Sequence, residues 1–346
     1  MGTRNLSLAG VLQEHARSRA GRPAAVDGGR RLAYGELEAR VERAAAVLQD
    51  FGFGAGDRLL WLGQNSHRAL ECLLAACRLG GFFCPANWRL SPAELAFLID
   101  DCRPAAIVWQ EAEVGEAMRE AMDAACQRPP RICHDQDGRD GYEARLTAAA
   151  PRAEPVEVDA AAPAIMLYTA AFEGRPNGAL ISHDAVLTQS AVLSWAHAIG
   201  PEHVFLNSGP LFHVGTLMLT MATFVAGGCN VFTPRADPES LLRLIEAERV
   251  TGAYVVEPTL SRMVELNSGG RYDLRSLVTP PVGGPWDSMV NTIGSPWARR
   301  RGGYGQTEVF GVLSLRCLGG EGNAGLPIAF AEVRVVDPDG ADAPPG

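Results

Sequence analysis

The sequence predicts an α/β fold built on mostly parallel sheets. Short apolar segments typical of strands alternate with amphipathic segments typical of helices, and a looser stretch over residues 134–162 separates two such series. The chain has 346 residues, and at about 150 residues per domain this length indicates two lobes or one large α/β domain. Hydrophobic residues make up 47% and charged residues 21%, a balance that supplies a sizeable core.

Helices in the first half are marked by apolar spacing and by one clear start signal. Ser91 is expected to cap a helix, with Pro92 at the first helical position and Glu94 completing a capping box. The segments expected here are helices over residues 6–20, 35–51, 66–80 and from Ser91, and strands over 57–63 and 105–109.

The alternation resumes after residue 162. Ser182 and Asp237 are expected to cap helices, the second with Pro238 at its first position. The segments expected here are helices over residues 183–198, 214–226 and 237–249, strands over 164–169, 178–182, 203–209, 229–232 and 252–256, and an edge strand and turn within 331–340.

Composition and charge narrow the functional classes. The formal net charge is −9 with a pI of about 5.4, which disfavours a nucleic-acid binder. The eight cysteines form no C-x-x-C pair and no zinc-spaced cluster, so they are interpreted as small buried groups in a reducing compartment. The N-terminus has no long apolar run, and no stretch approaches the roughly 20 apolar residues that span a bilayer. A cytoplasmic protein without a transmembrane segment is expected.

All 31 basic residues are arginine, and the chain contains no lysine. A codon preference for arginine explains this bias without any functional cause. The chemical consequence holds in either case, because any lysine ammonium that a reaction requires must come from outside this chain.

Residues 168–183, "YTAAFEGRPNGALISH", form the first candidate functional stretch. Gly174 and Gly178 bracket a loop between two strands, and glycines let backbone N–H groups approach a phosphate without a Cβ in the way. Thr169, Arg175 and Asn177 add side-chain donors. The same strand–loop–strand pattern is also that of an ordinary hairpin, so alone it does not establish phosphate binding.

Residues 302–311, "GGYGQTEVFG", form the second candidate stretch. Tyr304 offers a flat face on which a base can stack. Thr307 and Glu308 supply hard oxygen donors suited to Mg²⁺ and a neighbouring phosphate, and Gly305 and Gln306 lie between them and the tyrosine. The density of functional residue types in one short loop favours a ligand site over a simple helix start.

Two shorter stretches complete the set. His213 lies in "PLFHVGTL" before an apolar helix, where a buried structural histidine is the simplest interpretation. Gly283, Gly284 and Pro285 form a tight turn that lets a flat ligand approach the backbone.

Taken together and in this order, the four stretches resemble the adenylate-forming enzymes, a family that includes acyl-CoA synthetases. That family shows a phosphate loop Y-T-S-G-T-T-G-x-P-K-G, then F-H or F-D, then G-G-x-P, then Y-G-x-T-E. The stretches "NWRLSPAELAFLIDD" and "GLPIAFAEVRVVDPDG" are similar to further elements of the family, so the resemblance covers nearly the whole chain.

The resemblance implies an acyl-CoA synthetase-like N-terminal domain: two α/β sublobes of mostly parallel sheets flanked by helices, with the start of a small β subdomain. We expect the sublobes over residues 1–160 and 161–325 and the β subdomain over 326–346. The ligand is expected in the crevice between the sublobes.

The implied activity is that of an acyl-CoA synthetase. A carboxylic acid, expected to be a fatty acid, reacts with ATP to give acyl-AMP, and coenzyme A then takes the acyl group. Tyr304 and the turn Gly283–Pro285 are expected to hold adenine, Thr307 to contact the α-phosphate, and Glu308 to bind Mg²⁺. Loop residues 169–178 are expected to wrap the β- and γ-phosphates, with His213 near the acyl carboxylate. The oligomeric state is left open, a homodimer included.

The chain departs from the family in the phosphate loop. Ala170, Ala171, Phe172 and Glu173 stand where the family has Ser-Gly-Thr-Thr, and Asn177 stands where it has lysine. Each lost charge-assisted hydrogen bond costs about 1.5–3 kcal/mol of binding. We therefore expect weaker or differently arranged ATP binding.

The segments matched here precede the family's later elements, namely the ribose-binding aspartate, the hinge and the C-terminal domain with its catalytic lysine. We expect this chain to bind acyl and adenylate ligands better than it turns them over.

Alternatives remain open at this point. An acyl-AMP ligase that serves a carrier protein needs the same residues, and a non-catalytic acyl- or nucleotide-binding homologue fits the altered loop. Phe212–His213 disfavours an amino-acid substrate, since such relatives place an aspartate after that phenylalanine. An α/β hydrolase is disfavoured because no G-x-S-x-G elbow is present.

Overall fold

Helices and strands alternate along the chain in the computed structural model, which describes residues 6–151, 156–169, 175–292, 302–320 and 324–343. The helices are α1 (Leu8–Arg19), α2 (Tyr34–Asp50), α3 (His67–Arg78), α4 (Pro92–Cys102), α5 (Glu111–Ala124), α6 (Tyr142–Ala148), α7 (His183–His197), α8 (Val214–Ala226), α9 (Pro238–Ala247), α10 (Thr259–Leu266) and α11 (Trp286–Met289).

The strands fall into three sheets. They are β1 (Pro23–Asp27), β2 (Arg30–Ala33), β3 (Arg58–Leu62), β4 (Phe82–Pro85), β5 (Ala106–Trp109), β6 (Arg131–Cys133), β7 (Pro163–Tyr168), β8 (Gly178–Ser182), β9 (Val204–Asn207), β10 (Cys229–Phe232), β11 (Gly252–Ala253), β12 (Gly303–Gln306), β13 (Gly311–Leu315) and β14 (Leu326–Pro327).

The first sheet has the order β6-β5-β3-β4-β7-β8. Its strands pair in parallel except for the antiparallel β7–β8 hairpin. The second sheet has the order β11-β9-β10-β1-β2, also parallel except for the β1–β2 hairpin. The predicted fold class, mostly parallel sheets flanked by helices, is confirmed.

Each of these two sheets combines strands that lie before residue 160 with strands that lie after it. The β1–β2 hairpin, from the first 33 residues, joins the second sheet, and β7–β8, which follow residue 160, join the first. The sheets are therefore not contiguous in sequence, and the domain boundaries at residues 160 and 325 stay a prediction.

A small antiparallel sheet, β12-β13-β14, carries the end of the described chain. The edge strand predicted within residues 331–340 is wrong, since that segment is irregular apart from an isolated bridge between Val336 and Asp342. The predicted turn is present, with Gly340 N donating to the carbonyl of Asp337 at 3.0 Å. Val333 and Val335 are exposed, so apolar character there does not reflect sheet burial.

The helix starts predicted from local signals are confirmed. Ser91 Oγ accepts the backbone N–H of Glu94, and the Glu94 carboxylate accepts that of Ser91, so the capping box is complete. Ser182 caps α7 by accepting the backbone N–H of Ala185, and Asp237 caps α9 by accepting that of Ser240. These contacts depend on residues three apart in sequence, which explains why the sequence alone reveals them.

Several short segments differ from the sequence prediction, which also did not include β4, α5, β6 and α10. The hairpin β1–β2 was not predicted, and α6 lies within the stretch interpreted as a surface connection. The strand predicted over residues 252–256 is limited to Gly252–Ala253. These segments are short, and pairing partners distant in sequence decide their structure.

Asparagine side chains join the two sheets in the interior. Asn65, in the loop after β3, donates from Nδ2 to the carbonyls of Asn207 at 2.9 Å and Gly209 at 2.7 Å. Asn207 at the end of β9 donates to Asn230 Oδ1 at 3.2 Å and accepts from Thr220 Oγ1 at 2.5 Å. Because buried amides are stable only when paired, this bridge fixes the β3 loop against the carboxyl end of β9.

A second polar link is built on arginine. Arg40 bonds to the fully buried Glu71, with Nε to Oε1 at 2.5 Å, and to Glu143 of α6 at 2.9 Å. Arg68 Nε also reaches Glu143, at 2.8 Å, and Tyr142 Oη donates to Glu71 at 3.0 Å. The network ties α6 to α2 and α3, which gives the looser stretch a fixed anchor.

Among the described helices, none has the length and apolar character needed to cross a membrane.

Replacing Asn65 with Ala is expected to lower the free energy of unfolding by about 2–3 kcal/mol, since the side chain is buried and the carbonyls of Asn207 and Gly209 lose its amide donor. Urea denaturation measures the change. Asn177→Ala, at an exposed side chain, serves as the control and should change stability by less than about 0.5 kcal/mol. Equal effects of the two substitutions would contradict the bridge as a stabilising element.

The Glu143 network predicts an acid-sensitive stability. Burial raises the pKa of Glu143, but hydrogen bonds and charge from Arg40 and Arg68 outweigh it and lower that pKa to about 2. Its contribution is therefore complete above the ordinary pKa of 4.5 and lost as pH falls through 2.

We expect the unfolding free energy of the unmodified chain to fall between pH 4.5 and 2, and that of Glu143→Gln to fall less over the same window. Denaturant titrations at several pH values measure both slopes. The exposed Glu332→Gln is the control, and identical slopes for Glu143→Gln and the unmodified chain would refute the assignment.

Candidate functional site

A cavity of about 720 Å³ opens where the two sheets meet. Its walls come from the loops after β9, β10 and β11 and from the segments that follow β3 and β4, so it lies at the carboxyl ends of parallel strands, where open α/β sheets bind ligands. We call it the His213 cavity. Its polar lining includes Asn65, Arg89, Glu113, Ser208, His213, Thr216, Arg235, Asp237, Tyr254 and Thr259.

His213 begins α8 and is exposed, so the buried structural histidine is not observed. Its Nδ1 accepts the backbone N–H of Gly215 at 3.0 Å and caps the helix. Because Nδ1 serves as acceptor, Nε2 is the nitrogen available to a ligand in the cavity. Arg235 pairs with Glu113 on the opposite wall at 2.5 Å, and Arg89 stacks on the Trp88 ring at 4.1 Å.

A second cavity, of about 570 Å³, lies beside the β9–β11 edge. It is bounded by the end of α7, by residues 278–280 and by the small sheet at Gly302 and Leu315. We call it the His203 cavity after the imidazole in its wall. Its remaining lining is largely apolar, with Ala196, Ile199, Phe205, Leu219, Ala253 and Val278.

Tyr254 lines both cavities. Its carbonyl accepts from Ser208 Oγ at 2.5 Å, and its ring lies 3.4 Å from the positions that Cβ atoms would occupy at Gly209 and Gly215. The ring therefore packs against the backbone at both glycines. Sequence reasoning placed Tyr254 inside a strand and assigned it no role, because a residue shared by two cavities has no local signal.

The predicted phosphate-loop residues sit at the end of the β7–β8 hairpin. Thr169 donates its N–H to the carbonyl of Asn177 at 2.9 Å, which closes the loop. The Arg175 guanidinium stacks on the Phe97 ring at 4.7 Å. A Cβ at Gly178 would lie 2.9 Å from Met166 Sδ, so a larger residue there would displace the methionine side chain.

Gly174 and the altered stretch Ala170–Glu173 lie outside the described residues. Within the predicted phosphate loop, the structure therefore describes Thr169 at one end and residues 175–178 at the other.

The second predicted stretch forms β12 followed by a tight 3-10 turn over Thr307–Val309. Tyr304 is 55% exposed and Glu308 is exposed. At Gly305 a Cβ would lie 2.1 Å from the carbonyl oxygen of Gly311, so the close pairing with β13 requires glycine. Gln189 Nε2 of α7 donates to the carbonyl of Val312 at 2.9 Å and holds β13 in place.

The 3-10 turn lies against β8, directly after the predicted phosphate loop. Thr307 and Glu308 are thereby brought next to β8, the strand that begins at Gly178. The fold thus assembles two stretches that are more than 120 residues apart in sequence.

The Gly283–Gly284 turn is held by a carboxylate. Both glycines have positive φ, +86° and +75°, which side chains rarely adopt. Asp287 of α11 accepts the N–H groups of Val282 at 2.8 Å and Gly283 at 2.9 Å. Pro285 precedes α11, whose Trp286 is buried and anchors the turn to the core. Asp287 was not singled out from the sequence.

Among the described residues, no group of three or more acidic, histidine or cysteine side chains could hold a metal ion by itself. Glu308 has no ion-pair or hydrogen-bond partner among them either, so its carboxylate is available to a ligand.

Comparison with known proteins gives a family match over almost the full length. A model of the family described as AMP-binding enzyme matches residues 12–346. The chain is 30% identical over 362 aligned residues to indoleacetate–CoA ligase of Aromatoleum aromaticum, covering 99% of this chain and 68% of that protein. It is 30% identical to long-chain-fatty-acid–CoA ligase of Thermus thermophilus, covering 91% of this chain and 61% of the relative.

The fold is also that of a solved domain. The inhibitor-bound N-terminal domain of FACL13 from Mycobacterium tuberculosis superposes with a TM-score of 0.82 at 23% identity, covering 97% of this chain and 86% of that one. At this identity the likeness concerns the fold, and it agrees with the predicted N-terminal-domain architecture.

Replacing Asp287 with Ala is expected to loosen the Gly283–Gly284 turn, because two backbone N–H groups lose their acceptor. Hydrogen exchange followed by mass spectrometry should show the amides of residues 282 and 283 exchanging at least about 10-fold faster. Asp123→Ala, at an exposed position on α5, is the matched control. Unchanged exchange in Asp287→Ala would show that the turn holds itself.

Proposed function

The chain belongs to the AMP-binding enzyme family, and on that premise we propose that it is the adenylating core of an acid–CoA ligase. The observation that supports the proposal is the packing of the Thr307–Val309 turn against β8, the strand that follows the predicted phosphate loop in the chain. The named relatives are acid–CoA ligases, and the chain spans 68% and 61% of their lengths.

The proposed reaction has two steps. A carboxylate oxygen of the acid attacks the α-phosphorus of ATP, forming acyl-AMP and releasing pyrophosphate. The thiol of coenzyme A then attacks the acyl carbon, forming the thioester and releasing AMP. Negative charge accumulates on the phosphates in the first step, so the site must supply donors and cations there.

The nucleotide is proposed to lie along β12 and the Gly283–Gly284 turn. The exposed Tyr304 ring supplies a stacking face, and the turn, ordered by Asp287, lets a flat base approach the backbone. Thr307 is proposed to contact the α-phosphate through its hydroxyl. Gly305 and Gln306 lie between these groups on the same strand.

Mg²⁺ is proposed to bind Glu308 together with phosphate oxygens of the nucleotide. Mg²⁺ commonly takes one or two protein carboxylates and completes its shell with substrate phosphates and water, so the single exposed carboxylate fits this ion. The bound ion supplies charge neutralisation at the phosphates.

The two cavities are proposed to serve the two remaining substrates. The apolar walls of the His203 cavity suit the acyl group, and the His213 cavity, with Arg89 and Arg235 in its wall, suits the pantetheine arm and phosphates of coenzyme A. Tyr254 lines both cavities and His213 lines the first, and the acyl carboxylate and the thiol are proposed to meet near these two residues.

A fatty acid is the acid proposed from the sequence, and an aromatic acid is a second candidate. The apolar lining supports both, and the named relatives include ligases of each kind. An acyl-AMP ligase that transfers to a carrier protein uses the same first step. A non-catalytic homologue is favoured only by the altered loop residues Ala170–Glu173.

Calorimetry with ATP and Mg²⁺ tests the nucleotide site. We expect saturable binding to this chain and at least about 10-fold weaker binding to Glu308→Ala, because a charged ligand of the ion is lost. Glu332→Ala, an exposed acidic position on the irregular segment, should bind as the unmodified chain does.

Absence of ATP binding to the unmodified chain would overturn the proposal and favour the non-catalytic homologue. Equal binding by Glu308→Ala would leave the nucleotide site standing and remove Glu308 from it.

A further inference from the structure

The rings of His203, His197 and Tyr254 line the His203 cavity, beside a largely apolar wall. His203 directly precedes β9 and is half-buried. Its Nδ1 lies 2.9 Å from Thr251 Oγ1, and its ring stacks on Phe205 with centroids 6.3 Å apart. These contacts hold the ring in one orientation.

The His203 ring occupies space that is free because residue 252 is glycine. A Cβ at Gly252 would lie 2.6 Å from His203 Cε1 and 2.7 Å from Nε2, closer than real contacts allow. Nδ1 is engaged by Thr251, whereas Nε2 has no hydrogen-bond partner within the described part of the chain. One hydrogen-bonding nitrogen is therefore presented by a fixed ring in the cavity wall.

His203 is uncharged at neutral pH. Burial, and to a smaller extent the charge of His197, lower the pKa of His203 to about 4. A neutral imidazole offers one donor or one acceptor at Nε2, depending on the tautomer, and a hydroxyl group can satisfy either. A second carboxylate at the far end of the acid would find no cationic partner at the neutral His203. A plain hydrocarbon would cover Nε2 without forming a hydrogen bond to it.

The ring lies far from the proposed reaction centre. His203 is at the amino end of β9, while the acyl carboxylate is proposed to lie near the carboxyl ends of the strands. The four steps from His203 to Asn207 span about 13 Å of strand. A ligand group that reaches His203 therefore belongs to the distal part of the acyl chain or ring.

We propose that His203 is a specificity-determining residue that selects acids carrying a neutral hydroxyl group remote from the reacting carboxylate. The inference rests on the proposed function, since it takes the His203 cavity as the acid pocket. The hydroxyl pairs with Nε2, while its deoxy counterpart leaves that nitrogen unpaired on binding.

The test uses this chain and non-hydrolysable acyl-sulfamoyl adenosines, which stand in for acyl-AMP. Two matched pairs of probes are made, from 4-hydroxycinnamic and cinnamic acids and from 12-hydroxydodecanoic and dodecanoic acids. Calorimetry should show the hydroxylated member of at least one pair binding about 10-fold tighter or more. His203→Phe should abolish that preference without weakening the deoxy probe, and His203→Gln should retain part of it.

The outcomes separate the two proposals. Equal affinity within both pairs, or a preference that survives in His203→Phe, overturns the role of His203 and leaves the proposed function intact. Binding of none of the four probes overturns the proposed function, and the selectivity falls with it. Thermal unfolding of each variant shows whether it is folded.

Discussion

The asparagine bridge between the two sheets is the constraint on which the cleft depends. Asn65 belongs to a loop of the first sheet, and Asn207 and Asn230 belong to adjacent strands of the second. Apolar packing alone would hold the sheets together without fixing their relative register, since hydrophobic contact is not directional. Directional amide bonds set that register at the mouth of the His213 cavity, where Asn65 is itself part of the wall.

Several parts of the candidate site are positioned by groups that make no direct chemical contribution to it. Gln189 holds β13, Asp287 holds the glycine turn, and Phe97 holds Arg175. In each case one specific side chain from a helix holds the segment. The site is therefore a set of loops whose geometry is supplied by the scaffold behind them.

The features predicted correctly from the sequence are those that depend on residues close to one another in the chain. The caps at Ser91, Ser182 and Asp237 involve neighbours within one helical turn, so their spacing is visible without knowledge of the fold. The candidate stretches are also local, because each combines several functional residue types in about ten positions. The resemblance then orders them and leads to the correct fold class.

Contacts between distant segments could not be predicted. The pairing of β1 with β10 joins residues about 205 positions apart, and no propensity signal marks it. Tyr254 and His203 gain their place only when strand edges and helix ends come together. An apolar pattern at Val333–Val335 suggested a strand, yet no neighbouring strand of the described chain pairs with it. Sequence pattern records burial preference, whereas pairing depends on the tertiary fold.

The arginine network around Glu71 and Glu143 makes the response of the interior to acid and to alkali unequal. Guanidinium groups stay protonated up to about pH 12, unlike lysine ammonium groups, so Arg40 and Arg68 keep their charge in base. Burial also raises the pKa of the nearby Tyr142 phenol and Cys72 thiol, which keeps both neutral there. Alkaline conditions therefore leave the charges of this cluster unchanged. Acid changes them, because its carboxylates become protonated.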